Sequence, residues 1–449
     1  MAKDNENLMD KIVSLCKRRG FIFPGSEIYG GLAGTFDWGP LGVLLKYNIT
    51  ESWWRKFVTS REDIFPVDAA IIMNPRVWEA SGHVAGFSDP IPSSTGVGDG
   101  GRFNTMFKTS IGAGKEAATA YLRPETAQGM FVNFKNIVDA FHPKLPFGLA
   151  QIGKAFRNEI APRDFLFRAR EFEQMEIEYL IPPPLAAART DADLTQTDAE
   201  TPSAPPPERG RWPKAGGGQL SQKVDWQDYF EYWKDEMLEW MEEIGLDMAK
   251  VHELEVPEKD RAHYSKRTVD FEFEYPFGQK ELFGLAYRGD FDLKNHKLDY
   301  IDPETNEKFI PHVIEPTFGV DRAVLAVLLS AYSEDELGGE KRVFLKLKPA
   351  IAPVKVAVFP LLKNKPELVE KARQIYSNLK SEIFNLAFGD NGNIGKRYRR
   401  QDEIGTPFCV TIDFDTLKDD TVTVRDRDTG NQERVKVEEL IGYIKNKLS

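Results

Sequence analysis

The chain has 449 residues, 41% hydrophobic and 29% charged, with a formal net charge of −11 and two cysteines. That length exceeds one ordinary core and predicts two or more domains of globular composition. The balance excludes a protein that coats nucleic acid indiscriminately, a disulfide-stapled scaffold and a cysteine-built zinc site.

Met1-Ala2-Lys3-Asp4-Asn5-Glu6 lacks the apolar core of a signal peptide, and no apolar run reaches membrane-spanning length. A cytoplasmic protein with no membrane partner is expected. Residues 7–23 read as a helix closed by Gly20 and an apolar turn. Glycines 30, 31, 34, 39 and 42 punctuate the next segment, which contains Asp37-Trp38-Gly39-Pro40. A helix with Trp53, Trp54 and Phe57 then leads to Ile71-Ile72-Met73 and ends at Asn74-Pro75.

Gly96 to Gly101 fits the spacing GxGxxG, but no strand precedes it and no helix opens after it, so it reads as a plain loop. Residues 182–219, rich in Pro, Ala, Thr and Gly without hydrophobic periodicity, read as a flexible insertion. From Trp226 to Gly245, Trp, Tyr, Phe and Met recur at helical spacing, which predicts a helix with an aromatic core face. An apolar helix over Ala323–Tyr332 precedes an acidic loop, Ser333–Glu340. From about Pro353 the pattern turns to strand, helix, strand, which predicts a small separate α/β domain. A basic run within it, Gly395 to Arg400, reads on its own as a solvated loop.

Two constellations carry chemistry. Ala155-Phe156-Arg157-Asn158-Glu159 is followed by Arg163, Arg168, Arg170, Phe172 and Glu176. Read as two strands joined by an arginine-rich loop, it sets Arg157 and Glu159 on one face and Phe156 on the other. On the returning strand Phe172, Gln174 and Glu176 share one face, while Met175, Ile177 and Tyr179 share an apolar one. The planar fork of arginine makes paired, charge-assisted bonds to phosphate, and a ring beside it can stack on a base. An isolated Arg-x-Glu would be an ordinary cross-strand pair; the longer pattern is far more specific. Further on, Val313 to Arg322 reads as a strand entering an apolar helix, with Glu315 and Thr317 on one side. Arg322 falls in the first helical turn, where free backbone N–H groups attract phosphate.

The first constellation resembles motif 2, and the second motif 3, of the class II aminoacyl-tRNA synthetases. Further segments are similar to the glycyl-tRNA synthetases of that class, in their single-chain, homodimeric form. They are Glu27–Gly31 with Asp37–Pro40, Ile71–His83, Tyr121–Gly129, Ala262–Ser265, Glu281–Gly284 and Gly395–Pro407. The resemblance spans nearly the whole chain, apart from the low-complexity stretch and the loop near residue 95. It implies an α+β fold: a class II antiparallel sheet flanked by helices over residues 1–348, then an α/β anticodon-binding domain over 353–449. The stretch ending at Pro75 is similar to motif 1, which builds the dimer interface in this class and so implies a homodimer.

The same resemblance implies the site. Arg157 would hold the α-phosphate of ATP and Arg322 the tail of the triphosphate, as the two catalytic residues. Phe172 would stack on adenine, with Glu159 and Arg168 orienting the nucleotide and Asn158, Phe167, Leu282 and Gly319 beside it. Glu281 would be the protein ligand for Mg²⁺. If Arg288, seven residues on, acts on the same side, Gly284 would mark a bulge. Glu125, Glu176 and Glu315, with Thr317 and Gly319, would surround glycine. Arg397, Arg399, Arg400, Arg425 and Arg427 would meet tRNA(Gly), with Tyr398 as a stacking surface. The implied activity is ATP-dependent ligation of glycine to the 3′ end of tRNA through an adenylate. The alternative is a non-catalytic relative serving as a binding or regulatory subunit; such relatives usually lose the phosphate-binding arginines, and both are present here. Three departures stand out: residues 91–101 are short and lack cysteine, the low-complexity stretch at 182–219 is unusual, and Thr317 stands where serine is common.

Overall fold

The computed structural model describes residues 2–90, 102–184 and 224–448. The Gly96–Gly101 run and residues 185–219 of the low-complexity stretch lie outside them. The first helix, α1 (Ala2–Arg19), is followed by α2 (Pro40–Trp54), which starts on a proline and runs on as a wider turn over Arg55–Thr59. Gly42 in α2 permits close packing: a Cβ there would lie 1.9 Å from the carbonyl oxygen of Phe21. Beyond these come β1 (Ile64–Pro66), α3 (Ala127–Phe141), β2 (Phe147–Phe156), β3 (Glu171–Ile181) and α4 (Trp226–Glu243). The sheet is completed by β4 (Val251–Glu255), β5 (Arg267–Tyr275), β6 (Gly278–Gly289) and β7 (His312–Gly319), which runs directly into α5 (Val320–Ala331).

These seven strands form one sheet in the order β4-β5-β6-β7-β3-β2-β1, antiparallel throughout except for the β1–β2 pair. Its two faces follow the period-two pattern of the sequence. Met175, Ile177 and Tyr179 of β3 enter the main core with the aromatic face of α4, where Trp233 and Trp240 meet Phe57 of the turn after α2. Asp225 caps α4 through a reciprocal capping box with Asp228. The opposite face carries the polar residues of β3 and is covered at one end by the apolar side of α3.

After α5, Tyr332–Leu337 (β8) and Glu340–Leu345 (β9) form a hairpin, where an acidic loop was expected. The C-terminal unit contains β10 (Val356–Pro360), α6 (Pro366–Lys380), β11 (Leu386–Phe388), α7 (Ile394–Ile404), β12 (Phe408–Ile412), β13 (Thr421–Asp426), β14 (Gln432–Lys436) and α8 (Leu440–Leu448). Its sheet runs β11-β10-β12-β13-β14, parallel across the first three strands and antiparallel beyond. It has its own core, built on Val356, Val358, Val410, Leu368 and Ile375.

The two units meet through buried polar contacts. Asn48 of α2 donates to the carbonyls of Ile351 and Ala352, in the segment that leads into the C-terminal unit, at 3.1 and 2.9 Å. Asp402 of α7, 0% exposed, takes a two-pronged bond from Arg425 of β13 at 2.8 and 3.0 Å. Arg342 of the β8–β9 hairpin approaches the same aspartate at 3.5 Å and donates to the carbonyl of Arg427 at 2.6 Å. Among the described residues no helix is long and apolar enough to cross a membrane, and both cysteines are buried and unpaired.

Candidate active site

A cavity of about 450 Å³ opens on the polar face of the seven-stranded sheet. Both expected catalytic arginines, Arg157 and Arg322, line it, and so do Glu125, Glu176 and Glu315. The hairpin, the strand-to-helix junction and the Tyr121–Gly129 segment, far apart in sequence, therefore converge on one space.

One end is cationic and aromatic. β2 ends at Phe156, so Arg157, Asn158 and Glu159 occupy the loop after the strand and not its last positions. Arg157 is placed by backbone bonds: its N–H donates to Arg170 O at 2.9 Å, and its Nε donates to Pro124 O at 3.1 Å. Its guanidinium lies 5.2 Å from the ring centre of Phe172 and 5.4 Å from that of Phe87. Arg168 grips Glu159 through Nε at 2.6 Å and Nη2 at 2.5 Å, and both line the cavity. Asn158 does not line it; its backbone N–H donates to Thr105 O at 2.7 Å.

Across the cavity Arg322, in the first turn of α5 behind Gly319, lies 4.5 Å from the ring centre of Phe167. Its Nη1 reaches the carbonyl oxygen of Glu281 at 3.0 Å and the carboxylate at 3.2 Å. The attraction of Arg322 holds the half-exposed Glu281 below the usual carboxylate range. Asp270, on the neighbouring strand, goes the other way: burial, with Glu281 and Glu272 nearby, lifts it to about 7. Leu282, also lining this end, is the extra residue in β6: Phe271 pairs with Phe283 and Glu272 with Glu281. The bulge expected at Gly284 thus lies at Leu282.

The other end is acidic. Glu125 is buried, and each of its oxygens is held: His83 Nε2 approaches Oε2 at 3.3 Å and Gln128 Nε2 donates to Oε1 at 3.1 Å. Burial alone would raise its pKa, but His83, Arg288 and Gln128 outweigh that and hold it well below the usual range. Glu176 accepts from the backbone N–H of Thr126 at 3.2 Å, from the Thr126 hydroxyl, and from Thr317 Oγ1 at 3.3 Å. Thr317 thus keeps the hydroxyl function expected of serine. Burial and the nearby Glu125 raise Glu176 above its ordinary value.

Glu315 accepts from Arg288 Nη1 at 2.6 Å, yet burial lifts it to about 8, with Glu176 and Glu125 pushing the same way. Arg288 is buried and also grips Asp292 with two bonds, at 2.6 and 2.8 Å, beneath the ring of Tyr264 at 3.8 Å. Arg288 therefore serves the acidic end, not the side of Glu281. A fifth carboxyl, Glu178, is 0% exposed, and among the described residues neither oxygen has a hydrogen-bond partner; burial, then Glu315, raises it well above the ordinary range.

Sequence reading did not single out His83, Gln128, Asp292 or Glu178. The first sits inside a segment quoted for its resemblance, and the carboxyl pair Glu176 and Glu178 repeats at strand spacing. Gln128 likewise sits inside a quoted segment, Tyr121–Gly129, whereas Asp292 leaves no local signal.

The arginines of the C-terminal unit need correction. The basic run is helical, on α7, and its inward face buries Arg397, which donates to Gly392 O at 3.1 and 2.8 Å and to Pro360 O. Arg425 is consumed by Asp402, and Arg427 donates to Gly405 O at 2.7 Å and Leu347 O at 2.9 Å. All three hold the unit together, because a buried guanidinium needs a partner for each fork. Arg399 and Arg400 remain partly exposed, on a groove between α7 and the β8–β9 hairpin. Tyr398 lines the same groove with its hydroxyl 2.6 Å from Thr411 Oγ1.

Comparison with known proteins agrees with this geometry. A family model described as an anticodon binding domain matches residues 355–447. The glycine–tRNA ligase of Clostridium tetani is 44% identical over 502 aligned positions, covering 99% of each chain. Those of Lachnospira eligens and Caldanaerobacter subterraneus are 43% and 42% identical, covering 99% and 98% of each chain. At that identity along essentially its whole length, the chain belongs to the glycine–tRNA ligase family.

Proposed function

We propose that this chain activates glycine with ATP and passes it to the 3′ end of tRNA(Gly), using the sheet cavity as its active site. The observation that carries the reading is convergence: two arginines from distant motifs flank one end of a cavity whose other end is acidic. The glycine carboxylate attacks the α-phosphorus, forming the mixed anhydride and expelling pyrophosphate. The terminal ribose hydroxyl of tRNA then attacks the glycyl carbonyl, and AMP leaves.

Arg157 neutralises charge at the α-phosphate and Arg322 at the triphosphate tail, while Phe172 offers a ring to the base. Positioning and charge stabilisation supply the acceleration, so no side-chain nucleophile is required. A free glycine has only its ammonium and carboxylate to hold. Glu125, Glu176 and Glu315 suit the ammonium, and selectivity for glycine would come from steric exclusion of larger amino acids.

Mg²⁺ commonly takes one or two protein carboxylates and completes its shell with water and substrate phosphates. Glu281, half-exposed beside Asp270, fits that role, although no group of three or more His, Cys, Asp or Glu among the described residues could hold a metal alone. Bound there, the ion would screen the polyphosphate charge. The exposed Ile28, Tyr29 and Leu32, within or beside segments similar to the dimeric family form, support assembly as a homodimer, and a cytoplasmic location fits the activity.

Pyrophosphate exchange with each amino acid in turn tests the reading. Exchange should require glycine and collapse in Arg157→Ala. Robust exchange by that variant would remove the role given to Arg157, and exchange with another amino acid would remove glycine.

A further inference from the structure

Ser81 and His83 belong to no role assigned above, yet they are 2% and 5% exposed and arranged in series behind Glu125. Ser81 Oγ lies 2.8 Å from His83 Nδ1, and His83 Nε2 lies 3.3 Å from Glu125 Oε2. Gly82 makes the turn between them at φ 83°, a conformation that only glycine adopts without strain, so Ser81 and His83 face each other across it. The His83 ring is fixed by Trp78, edge-on at 5.4 Å, and by Phe87 at 5.2 Å. Phe87 in turn faces the Arg157 guanidinium.

The hydrogen bonds set the tautomer. The Ser81 hydroxyl has one proton and two candidate acceptors: Nδ1 at 2.8 Å and Trp78 O at 3.4 Å. An ionised carboxylate oxygen can only accept, so the Glu125 contact places a proton on Nε2, and the neutral ring then accepts from the Ser81 hydroxyl at Nδ1. A serine-histidine-acid series also suggests a hydrolytic nucleophile. The burial of Ser81, which does not line the cavity, rules that out here.

We propose that Ser81 and His83 are positioning residues for glycine. Ser81 fixes the ring so that Nε2–H holds Glu125 ionised and in one orientation, ready for the substrate ammonium. This rests on the reading of Glu125 as an ammonium site. Without the histidine contact, Glu125 would be free to rotate about its remaining bond to Gln128.

Glutamine and asparagine separate this role from packing. The amide nitrogen that His83→Gln introduces reaches the place of Nε2, whereas the shorter amide of His83→Asn stops at the place of Nδ1. In glycine-dependent pyrophosphate exchange, His83→Asn and His83→Ala should raise the glycine KM roughly ten- to a hundred-fold, the scale of one hydrogen bond to a charged group. The ATP KM should stay within about twofold, and His83→Gln should recover most of the loss. Ser81→Ala should give a smaller rise of roughly threefold in the same parameter. An unchanged glycine KM in His83→Asn, a His83→Gln variant as poor as His83→Ala, or a parallel rise in ATP KM would each overturn the proposal. Should the variants not fold, ring-nitrogen NMR of histidine-labelled wild-type enzyme decides. An unprotonated Nδ1 with a protonated Nε2 supports it, and the reverse overturns it. Loss of glycine dependence in the wild type would instead sink the functional reading itself.

Discussion

Arg288→Met removes the cation at the centre of the acidic end and tests whether that charge is structural as well as functional. Three bonds disappear, at 2.6, 2.6 and 2.8 Å, and Asp292 and Glu315 are left buried without their partner. Breaking a buried ion pair from one side costs about 3–5 kcal/mol, most of it the stranded charge. Glu315, lifted to about 8, is already largely protonated at neutral pH, so the stranded charge is mainly that of Asp292, which favours the lower end of that range. For a unit of this size each kcal/mol lowers Tm by roughly 2 °C or more, so a drop of about 5–10 °C is expected in a thermal melt. Asp292→Asn should be costly in the wild type and much less so in the Arg288→Met background, since the stranded charge is then already relieved. The glycine KM should rise in Arg288→Met while the ATP KM changes little. An unshifted Tm with an unshifted glycine KM would refute the reasoning, and strictly additive effects of the two substitutions would refute the shared network.

Two further outcomes follow from the same geometry. Glu315 is protonated in the empty site below about pH 8, and glycine must displace that proton to set its ammonium there. Glycine binding should therefore release protons in calorimetry across buffers of differing ionisation enthalpy, and the glycine KM should fall as pH rises from about 7 towards 8; a KM independent of pH over that window contradicts this. In the C-terminal unit, Arg425→Ala strands the buried Asp402 and should cost about 3–5 kcal/mol in a melt. Arg400→Ala should leave Tm alone, raise the tRNA KM and reduce the salt slope of tRNA binding by about one; the opposite partition would reverse the roles given to these arginines.

What the sequence reveals here is what lies within one or two elements. The returning strand of the hairpin, with Phe172, Gln174 and Glu176 on one side and Met175, Ile177 and Tyr179 on the other, follows the period of the backbone and is legible directly. The strand entering α5 is legible for the same reason. The ring of contacts around the ammonium site is not, because sheet register and packing assemble it. Arg288 meets Glu315 across β6 and β7, and His83 reaches Glu125 from the start of a short helix, His83–Gly86, more than forty residues earlier.

Local polarity also misleads. Ser333–Glu340 reads as a loop because it is acidic, yet it is mostly hairpin, because cross-strand pairs such as Asp335 with Arg342 satisfy its charges. The basic run reads as solvated, yet Arg397 turns inward, where carbonyls await it, while Arg399 and Arg400 stay partly exposed. A bulge at Gly284 is expected only if Glu281 and Arg288 share a side; Arg288 serves the acidic end instead, and the register between β5 and β6 slips at Leu282.

Asp402 stands between Arg342 of the β8–β9 hairpin and Arg425 of the C-terminal sheet. Swinging the two units apart would leave a dehydrated anion facing only one of its cations, so hinge motion at this seam is opposed at its first step.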